Sequence, residues 1–203
     1  MQTQQKYTID EYFDLEIPSI DRHAYIDGEM VLIPGGTPNH NSITGNLLTV
    51  LKFALKRQPY DVFVIDQRLW IPQKRILTYP DIMIMARPIQ YQEGRRDTLI
   101  NPLMIAEVLS KSTRSYDKDG KFAAYRTIAS FQEYLLIDQY AMHVEHYIKT
   151  SDRQWTFREY EDASTPISLA SIPAQIELQD LYDTVDFDEP DDELERSNEI
   201  SGD

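Results

Sequence analysis

Two short apolar segments, residues 79–86 and 103–109, most constrain the fold of this 203-residue chain. Their sequences, YPDIMIMA and LMIAEVL, are apolar at nearly every position. Strands without polar alternation are typical of the centre of a sheet that is covered on both faces. The two segments therefore predict an α/β fold with helices on the faces of a mixed sheet.

The remaining sequence supplies helices and further strands. Thr8 followed by Glu11 predicts a helix over residues 8–15, and Asp27-Gly28 predicts a hairpin turn within residues 24–33. The loop GGTPNH (35–40) opens a predicted helix of about twenty residues that ends at Gln58. Further predicted elements are a strand at 61–71, a helix at 116–128, strands at 133–138, 141–149 and 154–160, and a short helix at 176–184.

Composition restricts the location and the kinds of site. No segment approaches the roughly 20 apolar residues that span a bilayer. The first residues lack the basic start and apolar core of a signal peptide, so we expect a cytoplasmic protein without a membrane segment. The chain has no cysteine, and a bound metal would have to be held by oxygen or by the four histidines.

The net charge of −14 is unevenly distributed. Residues 186–203 contain nine Asp and Glu against one Arg, which amounts to −8 and leaves −6 for residues 1–185. A segment of this kind is typical of a disordered, solvated tail, and a self-inhibitory or partner-binding role is the alternative. We therefore predict a single domain over residues 1–185 followed by an acidic tail.

Each of the two apolar segments contains one acid, Asp81 in the first and Glu107 in the second. A buried ionised carboxylate must be paired with a cation, protonated or bound to metal. Acids on neighbouring central strands can converge, and hard carboxylate oxygens select Mg²⁺ or Mn²⁺. The alternative is that Asp81 is a turn residue after Pro80 and that Glu107 pairs with Lys or Arg.

Six motifs resemble one known family. They are YIDGEMV (25–31), TPNHNSITGNL (37–47), TYPDIMI (78–84), RRDTLINPLMIAEVLSKSTRSYD (95–117), KFAAYR (121–126) and FQEYLLID (131–138). In this order they resemble the Uma-two family of restriction-endonuclease-like proteins, a branch of the PD-(D/E)XK nuclease superfamily. The resemblance implies a restriction-endonuclease-like mixed central sheet flanked by helices, and a metal-dependent endonuclease that hydrolyses phosphodiester bonds in nucleic acid.

The resemblance also implies roles for individual residues. Asp81, Glu107 and the backbone carbonyl of Val108 would hold Mg²⁺ or Mn²⁺. The signature lysine expected two residues after the Glu is replaced by Leu109, and its counterpart in this family would be Lys121. An ordinary exposed helix lysine is the alternative for that residue.

Further residues follow from the same motifs. Tyr125 lies one helical turn after Lys121, on the same face. Glu29, in the DGE motif, would be a third acid, although a solvated strand residue is equally expected. His40 would hold a phosphate or a water at a helix N-terminus, unless it caps that helix together with Asn39.

Basic residues are concentrated near Glu107, where Lys111 and Arg114 would contact a phosphate backbone. A solvated loop is the alternative there. The main rival function is a catalytically inactive nuclease-fold scaffold that binds nucleic acid or a protein partner. The thirteen tyrosines and the three late strands suggest a homodimer or a higher homo-oligomer.

Overall fold

A computed structural model describes residues 6–111 and 113–187 of the chain. Most of the predicted acidic tail, residues 188–203, lies outside these residues. The helices are α1 (Ile9–Glu16), α2 (Pro38–Ala54), α3 (Phe122–Tyr125) and α4 (Leu178–Leu181); a 3-10 turn covers Pro72–Lys74 and a π-helical turn covers Tyr116–Lys121. The strands are β1 (Arg22–Ile26), β2 (Glu29–Ile33), β3 (Tyr60–Val64), β4 (Arg68–Ile71), β5 (Ile76–Thr78), β6 (Ile82–Ala86), β7 (Thr98–Leu99), β8 (Pro102–Leu109), β9 (Glu133–Asp138), β10 (Val144–Ser151), β11 (Gln154–Tyr160), β12 (Ile167–Ser168) and β13 (Gln175–Ile176).

The predicted central strands are confirmed as β6 and β8 of a six-stranded mixed sheet. Its strand order is β11-β10-β9-β8-β6-β3, and β8 pairs with β9 in parallel while the other pairs are antiparallel. Helix α2 packs through Ile43, Leu47 and Leu51 on one face of this sheet. The π-helical turn and α3 lie on the other face, with Tyr125 in its apolar core.

A second, five-stranded sheet has the order β2-β1-β5-β4-β7. Its β1–β2 hairpin confirms the predicted turn, because Asp27 and Gly28 adopt φ values of 45° and 99°. This left-handed conformation is the one that two-residue hairpin loops require. A short β12–β13 pair completes the strands of the described part of the chain.

The prediction of one strand over residues 61–71 is wrong. Strand β3 belongs to the six-stranded sheet and β4 to the five-stranded sheet. Ile65 between them has φ 53°, a left-handed backbone that no continuous strand contains. Its amide donates to the carbonyl of Asp81 at 3.0 Å, so the chain turns where the two sheets meet.

The helix boundaries confirm some signals and correct others. Thr8 and Glu11 form the predicted capping box of α1. Helix α2 is capped by Thr37, whose side chain accepts a hydrogen bond from the amide of His40, so the prediction that Asn39 and His40 cap it is wrong. The predicted helix over 116–128 is a π-helical turn followed by one α-helical turn. No helix among residues 6–111 and 113–187 is long and apolar enough to cross a membrane.

Candidate active site

Antiparallel pairing brings Asp81 and Glu107 together. Asp81 directly precedes β6, and Ile82 pairs with Ala106 of β8, which places Asp81 beside Glu107. The amide of Val108 donates to Asp81 Oδ2 at 2.8 Å, and the amide of Asp81 lies 3.4 Å from Glu107 Oε2. Backbone hydrogen bonds therefore fix both acids at the edge where the chain crosses from β5 to β6.

Lys121 enters the same site from the helical face of the sheet. Its Nζ lies 3.1 Å from Glu107 Oε1 and 2.8 Å from Asp117 Oδ1. Both carboxylate side chains are only 2% exposed, and that of Lys121 is 17% exposed. The hydroxyl of Tyr125, in α3 on the same face of the sheet, donates to Glu107 Oε1 at 2.6 Å. The helix thus brings an ammonium group and a phenol to the acid.

Leu109 occupies the strand position at which the superfamily signature has its lysine. Residues 105, 107 and 109 share one face of β8. Leu109 is fully buried on that face, in the apolar cluster that contains Ile105 and Tyr125. A lysine at this position would be buried in that core, whereas Lys121 reaches Glu107 from the turn above it.

The π-helical turn that presents Lys121 depends on a glycine. A Cβ on Gly120 would lie 2.6 Å from Cδ2 and Cε2 of Tyr116, which is far inside van der Waals contact. Gly120 therefore allows the Tyr116 ring to lie against the turn. Turns of this type occur frequently at functional sites.

Asp117 is the acid that sequence reasoning missed. It is buried within the basic segment 111–118, where only Lys111 and Arg114 were selected. The signal for it was its spacing of four residues from Lys121, since such Asp–Lys pairs are neighbours on a helix.

His40, the third residue of α2, approaches Asp81 from the opposite side. Its Nε2 lies 3.2 Å from Asp81 Oδ2, while its Nδ1 is buried without a hydrogen-bond partner among the described residues. A Cβ on Gly36 would lie 2.9 Å from this Nδ1, so the glycine leaves the space that the imidazole occupies.

The charges of the site shift the pKa values of its acids in opposite directions. Burial and the charges of Asp81 and Asp117 raise the pKa of Glu107 to about 7, although Lys121 opposes this. Burial also disfavours the ionised form of Asp81, but the hydrogen bond and charge of His40, together with Lys121, bring the pKa of Asp81 below its ordinary value.

The two basic groups respond to the same acids. Burial lowers the pKa of His40, but the carboxylates of Asp81 and Glu107 raise it by more than burial lowers it. The pKa of His40 therefore lies above its ordinary value. Burial also disfavours charged Lys121, and the three carboxylates reverse this and raise the pKa of Lys121. The ammonium of Lys121 is therefore charged at neutral pH.

Asp81, Glu107, Val108, Lys121 and His40 line a cleft of about 560 Å³. One side of this cleft is the β1–β2 hairpin and the loop that follows it, and the floor is the meeting point of the two sheets. Asp117 and Tyr116 line it as well.

Three predicted site residues lie elsewhere in the structure. Glu29 opens β2 opposite Ile26, and neither Lys111 nor Arg114 is among the residues that line the cleft. Lys111 Nζ lies 5.0 Å from the centre of the Tyr140 ring. Arg114 donates to Asp138 Oδ2 at 2.6 Å. Of the two acids Glu29 and Asp117, Asp117 is among the residues that line the cleft and Glu29 is not.

The donor set of the cleft fits a hard divalent cation. Asp81 and Glu107 offer carboxylate oxygens, which Mg²⁺ and Mn²⁺ prefer, and Mg²⁺ commonly keeps several waters beside one or two carboxylates. A compact group of three ligand atoms within 4.8 Å of one another occurs, in the described part of the chain, at His143, Glu145 and Glu159 instead. The cleft thus resembles a two-carboxylate site completed by water or substrate rather than a closed protein cage.

The chain matches known proteins over most of its length. The model of the Uma2 family, described as "Putative restriction endonuclease", matches residues 9–181. The uncharacterised protein sll1609 of Synechocystis sp. is 41% identical over 167 residues, which cover 81% of this chain and 94% of that protein. A second Synechocystis protein, slr1290, also uncharacterised, is 29% identical over 179 residues, 87% of this chain and 92% of that protein.

A solved structure shares the fold. It is described as a "putative nuclease belonging to DUF820" from Anabaena variabilis, superimposes with a TM-score of 0.71 and covers 87% of this chain and 97% of that one. At 20% sequence identity this likeness concerns the fold alone. Because the family model spans nearly all described elements and a relative is 41% identical, the chain belongs to the Uma2 family of restriction-endonuclease-like proteins.

Proposed function

We propose that this protein is a Mg²⁺- or Mn²⁺-dependent nuclease that hydrolyses phosphodiester bonds in nucleic acid. The observation that carries the proposal is the convergence of Asp81, Glu107 and Lys121 in one cleft, with Lys121 Nζ at 3.1 Å from Glu107. Two carboxylates and a buried cation at the meeting point of two sheets are the parts that phosphoryl chemistry requires.

Asp81 and Glu107 would hold the divalent ion, with the carbonyl of Val108 as a further ligand. When bound, such an ion lowers the pKa of a bound water and offsets negative charge on the phosphate. The Val108 amide and His40 orient the carboxylate of Asp81, and the Tyr125 hydroxyl orients that of Glu107.

Lys121 supplies a fixed positive charge on the substrate side of Glu107. Because its ammonium group is held between Glu107 and Asp117, it needs no rearrangement to stabilise negative charge that develops on a phosphate. Its contacts also keep Asp117 neutralised inside the site. Preorganised charge of this kind is worth about 100- to 1,000-fold in rate.

Cleavage of plasmid, single-stranded DNA and RNA with Mg²⁺ or Mn²⁺ tests the proposal. Glu107→Gln should lower the rate about 100- to 1,000-fold. Glu145→Gln is the matched control, because Glu145 is also a buried strand glutamate but pairs with Lys118 outside the cleft. Equal cleavage by wild type and Glu107→Gln would refute the assignment of the active site.

The same π-helical turn offers a matched pair of lysines. Lys121→Met should lower the rate about 100-fold. Lys118→Met should leave it within about twofold, because Lys118 pairs with Glu145 and does not line the cleft. A similar loss in both variants would indicate damage to the turn rather than loss of a charge at the site.

Metal binding separates the nuclease from the inactive scaffold. Titration calorimetry with Mn²⁺ should show binding to wild type that Glu107→Gln weakens about tenfold or more. Absence of both cleavage and ion binding in the wild type would favour a scaffold that binds nucleic acid or protein without cutting.

A further inference from the structure

The cleft has a second side that takes no part in the proposed metal site. Opposite the carboxylates it is lined by apolar residues of the hairpin and the following loop, among them Val31, Ile33 and Pro34. Val31 is 43% exposed, and its side chain shares the face of the hairpin that contains Ala24, with which it pairs and which also lines the cleft. Large apolar side chains exposed together at a cleft mark a binding surface for an apolar group.

The cleft offers few cations for a phosphate backbone. Among the residues that the structure describes, the cations that line it, apart from His40, are Arg22 and Lys121. Arg22 pairs with Asp66, and Lys121 lies between two carboxylates. Affinity for duplex DNA draws mainly on many phosphate contacts by Lys and Arg. A nucleic acid bound here must therefore gain affinity from its bases.

Tyr116 provides a surface on which a base can stack. Its ring lines the cleft, is 38% exposed and lies directly against Gly120. It neighbours Asp117 and lies at the start of the turn that ends at Lys121. Aromatic rings of this kind stack unpaired bases without regard to sequence.

Geometry restricts the base to an unpaired one. Inside a duplex both faces of a base are covered by its stacked neighbours, whereas an unpaired base exposes a face to a tyrosine. The cleft volume of about 560 Å³ lies within the range of about 300–1,000 Å³ that is typical of pockets for small ligands.

We propose that the cleft binds an unpaired nucleotide of DNA or RNA, with its base between Tyr116 and the apolar hairpin side and its phosphate next to Lys121. This proposal rests on the proposed nuclease function and assigns its substrate class. A single strand is then preferred over a duplex as the substrate.

The proposal can be tested without cleavage by measuring how tightly the full chain binds labelled oligonucleotides of about 12 nucleotides. Fluorescence anisotropy in the presence of EDTA measures this binding. The probes are a single-stranded DNA, a single-stranded RNA, the blunt duplex and an abasic single strand with the same phosphates. The base-containing DNA or RNA strand should bind at least about tenfold more tightly than both the duplex and the abasic strand. Equal binding of the abasic strand or the duplex, or no binding of any probe, would overturn the proposal.

Variants locate the base. Tyr116→Ala should weaken binding of the base-containing strand about tenfold and leave the abasic strand unchanged. Val31→Thr, at an exposed position on the cleft face of β2, should weaken it about threefold. Phe53→Ala removes a ring that is 83% exposed and does not line the cleft, and it should change nothing. Equal losses for the base-containing and abasic strands in Tyr116→Ala would refute stacking on this ring.

The two proposals fail in different ways. Cleavage that is unaffected by Glu107→Gln refutes the nuclease site and leaves the base-binding result standing. Cleavage of a blunt duplex at the rate of a single strand refutes the unpaired-nucleotide proposal and leaves hydrolysis at Glu107 intact.

Discussion

Two buried glutamates on neighbouring strands of the six-stranded sheet have opposite surroundings. Glu107 lies near the end of β8 and Glu133 begins β9, and these strands pair in parallel. Glu107 is 2% exposed and Glu133 is fully buried. Each interrupts an apolar strand, so strand composition alone does not distinguish them.

Glu133 is surrounded by hydrogen-bond donors. His146 Nε2 lies 2.6 Å from Oε1, the Ala170 amide donates to Oε1 at 2.7 Å, and the Ser171 amide and hydroxyl both donate to Oε2. Burial raises the pKa of Glu133, but these donors outweigh it and bring the pKa below its ordinary value. The carboxylate fastens the segment around residue 170 to the sheet.

Glu107 has fewer donors and more negative neighbours. Lys121 and Tyr125 contact one of its oxygens, while Asp81 and Asp117 lie close by. One ammonium group thus pairs with two carboxylates, while the third, Asp81, lies beside His40. A buried acid that is fully satisfied is structural, whereas one with excess negative charge beside a cleft favours an added cation.

The largest expected effect concerns the satisfied acid. Glu133→Gln should lower the free energy of unfolding by about 3–5 kcal/mol, because the amide offers one acceptor oxygen where the carboxylate offers two, and the donors at the other position then face an NH2 group. Urea denaturation of the variant and the wild type measures this. Folded Glu133→Gln protein should retain its rate of cleavage.

Glu107→Gln is the opposite case in the same experiment. At pH 5 it should change the free energy of unfolding by less than about 1 kcal/mol while it lowers activity, because the neutral amide resembles the protonated carboxyl group and adds no charge to the site. A loss of stability in Glu107→Gln as large as that in Glu133→Gln would contradict the contrast between the two acids.

The pH dependence of stability should also differ between the two acids. The pKa of Glu107 is raised to about 7 in the folded protein, so the native state binds this proton more tightly than the unfolded chain. Its contribution is fully present below the unfolded pKa near 4.5 and is lost as the pH rises through 7. Between pH 5 and pH 8 this amounts to about 2–3 kcal/mol in the metal-free protein.

Glu133 contributes with the other sign. Its lowered pKa gives stability that is present above the unfolded pKa and is lost as the pH falls through the folded pKa.

Denaturation curves in EDTA at pH 5 and pH 8 compare wild type with Glu107→Gln. The wild type should lose more stability than the variant over this range, and parallel profiles would show that Glu107 ionises normally.

The sequence predicted the pair Asp81 and Glu107 because their strands are apolar, short and adjacent in the sheet. It also predicted Lys121 and Tyr125, through the resemblance of the KFAAYR motif and helical spacing. These relations are local or depend on one strand pairing. The contrast with Glu133 was not predictable from the sequence. Two of the donors to Glu133 are the backbone amides of residues 170 and 171, which lie 37 and 38 positions further along the chain and carry no side-chain signal.

The fold shows the same division between local and distant causes. Apolar patterning predicted β6 and β8, the Asp27-Gly28 turn predicted the hairpin, and the capping box predicted α1. The alternation over residues 61–71 favoured one strand because a left-handed Ile65 leaves no trace in side-chain pattern. Its amide bonds to Asp81, so the break between β3 and β4 is a tertiary feature that also supports the site.

The smallest expected effect concerns Gly120, which lies against Tyr116, a residue that lines the same cleft as Glu107. An added Cβ at Gly120 meets the Tyr116 ring at 2.6 Å, and this ring can swing away because it is 38% exposed. Gly120→Ala should therefore displace the ring within the cleft and lower kcat/KM about fivefold, which corresponds to about 1 kcal/mol of lost base stacking. Single-turnover cleavage of a single-stranded DNA measures the change.

Two comparisons show whether the displaced ring causes this loss. Gly45→Ala is the control, because no heavy atom lies within 4 Å of a Cβ added to Gly45 in α2, and it should leave kcat/KM unchanged while stabilising the helix by about 0.5–1 kcal/mol. In a Tyr116→Ala background, Gly120→Ala should have no further effect, since the atoms it would strike are gone. A fivefold loss that persists in that background would show that Gly120 shapes the turn and Lys121 directly, independently of the tyrosine.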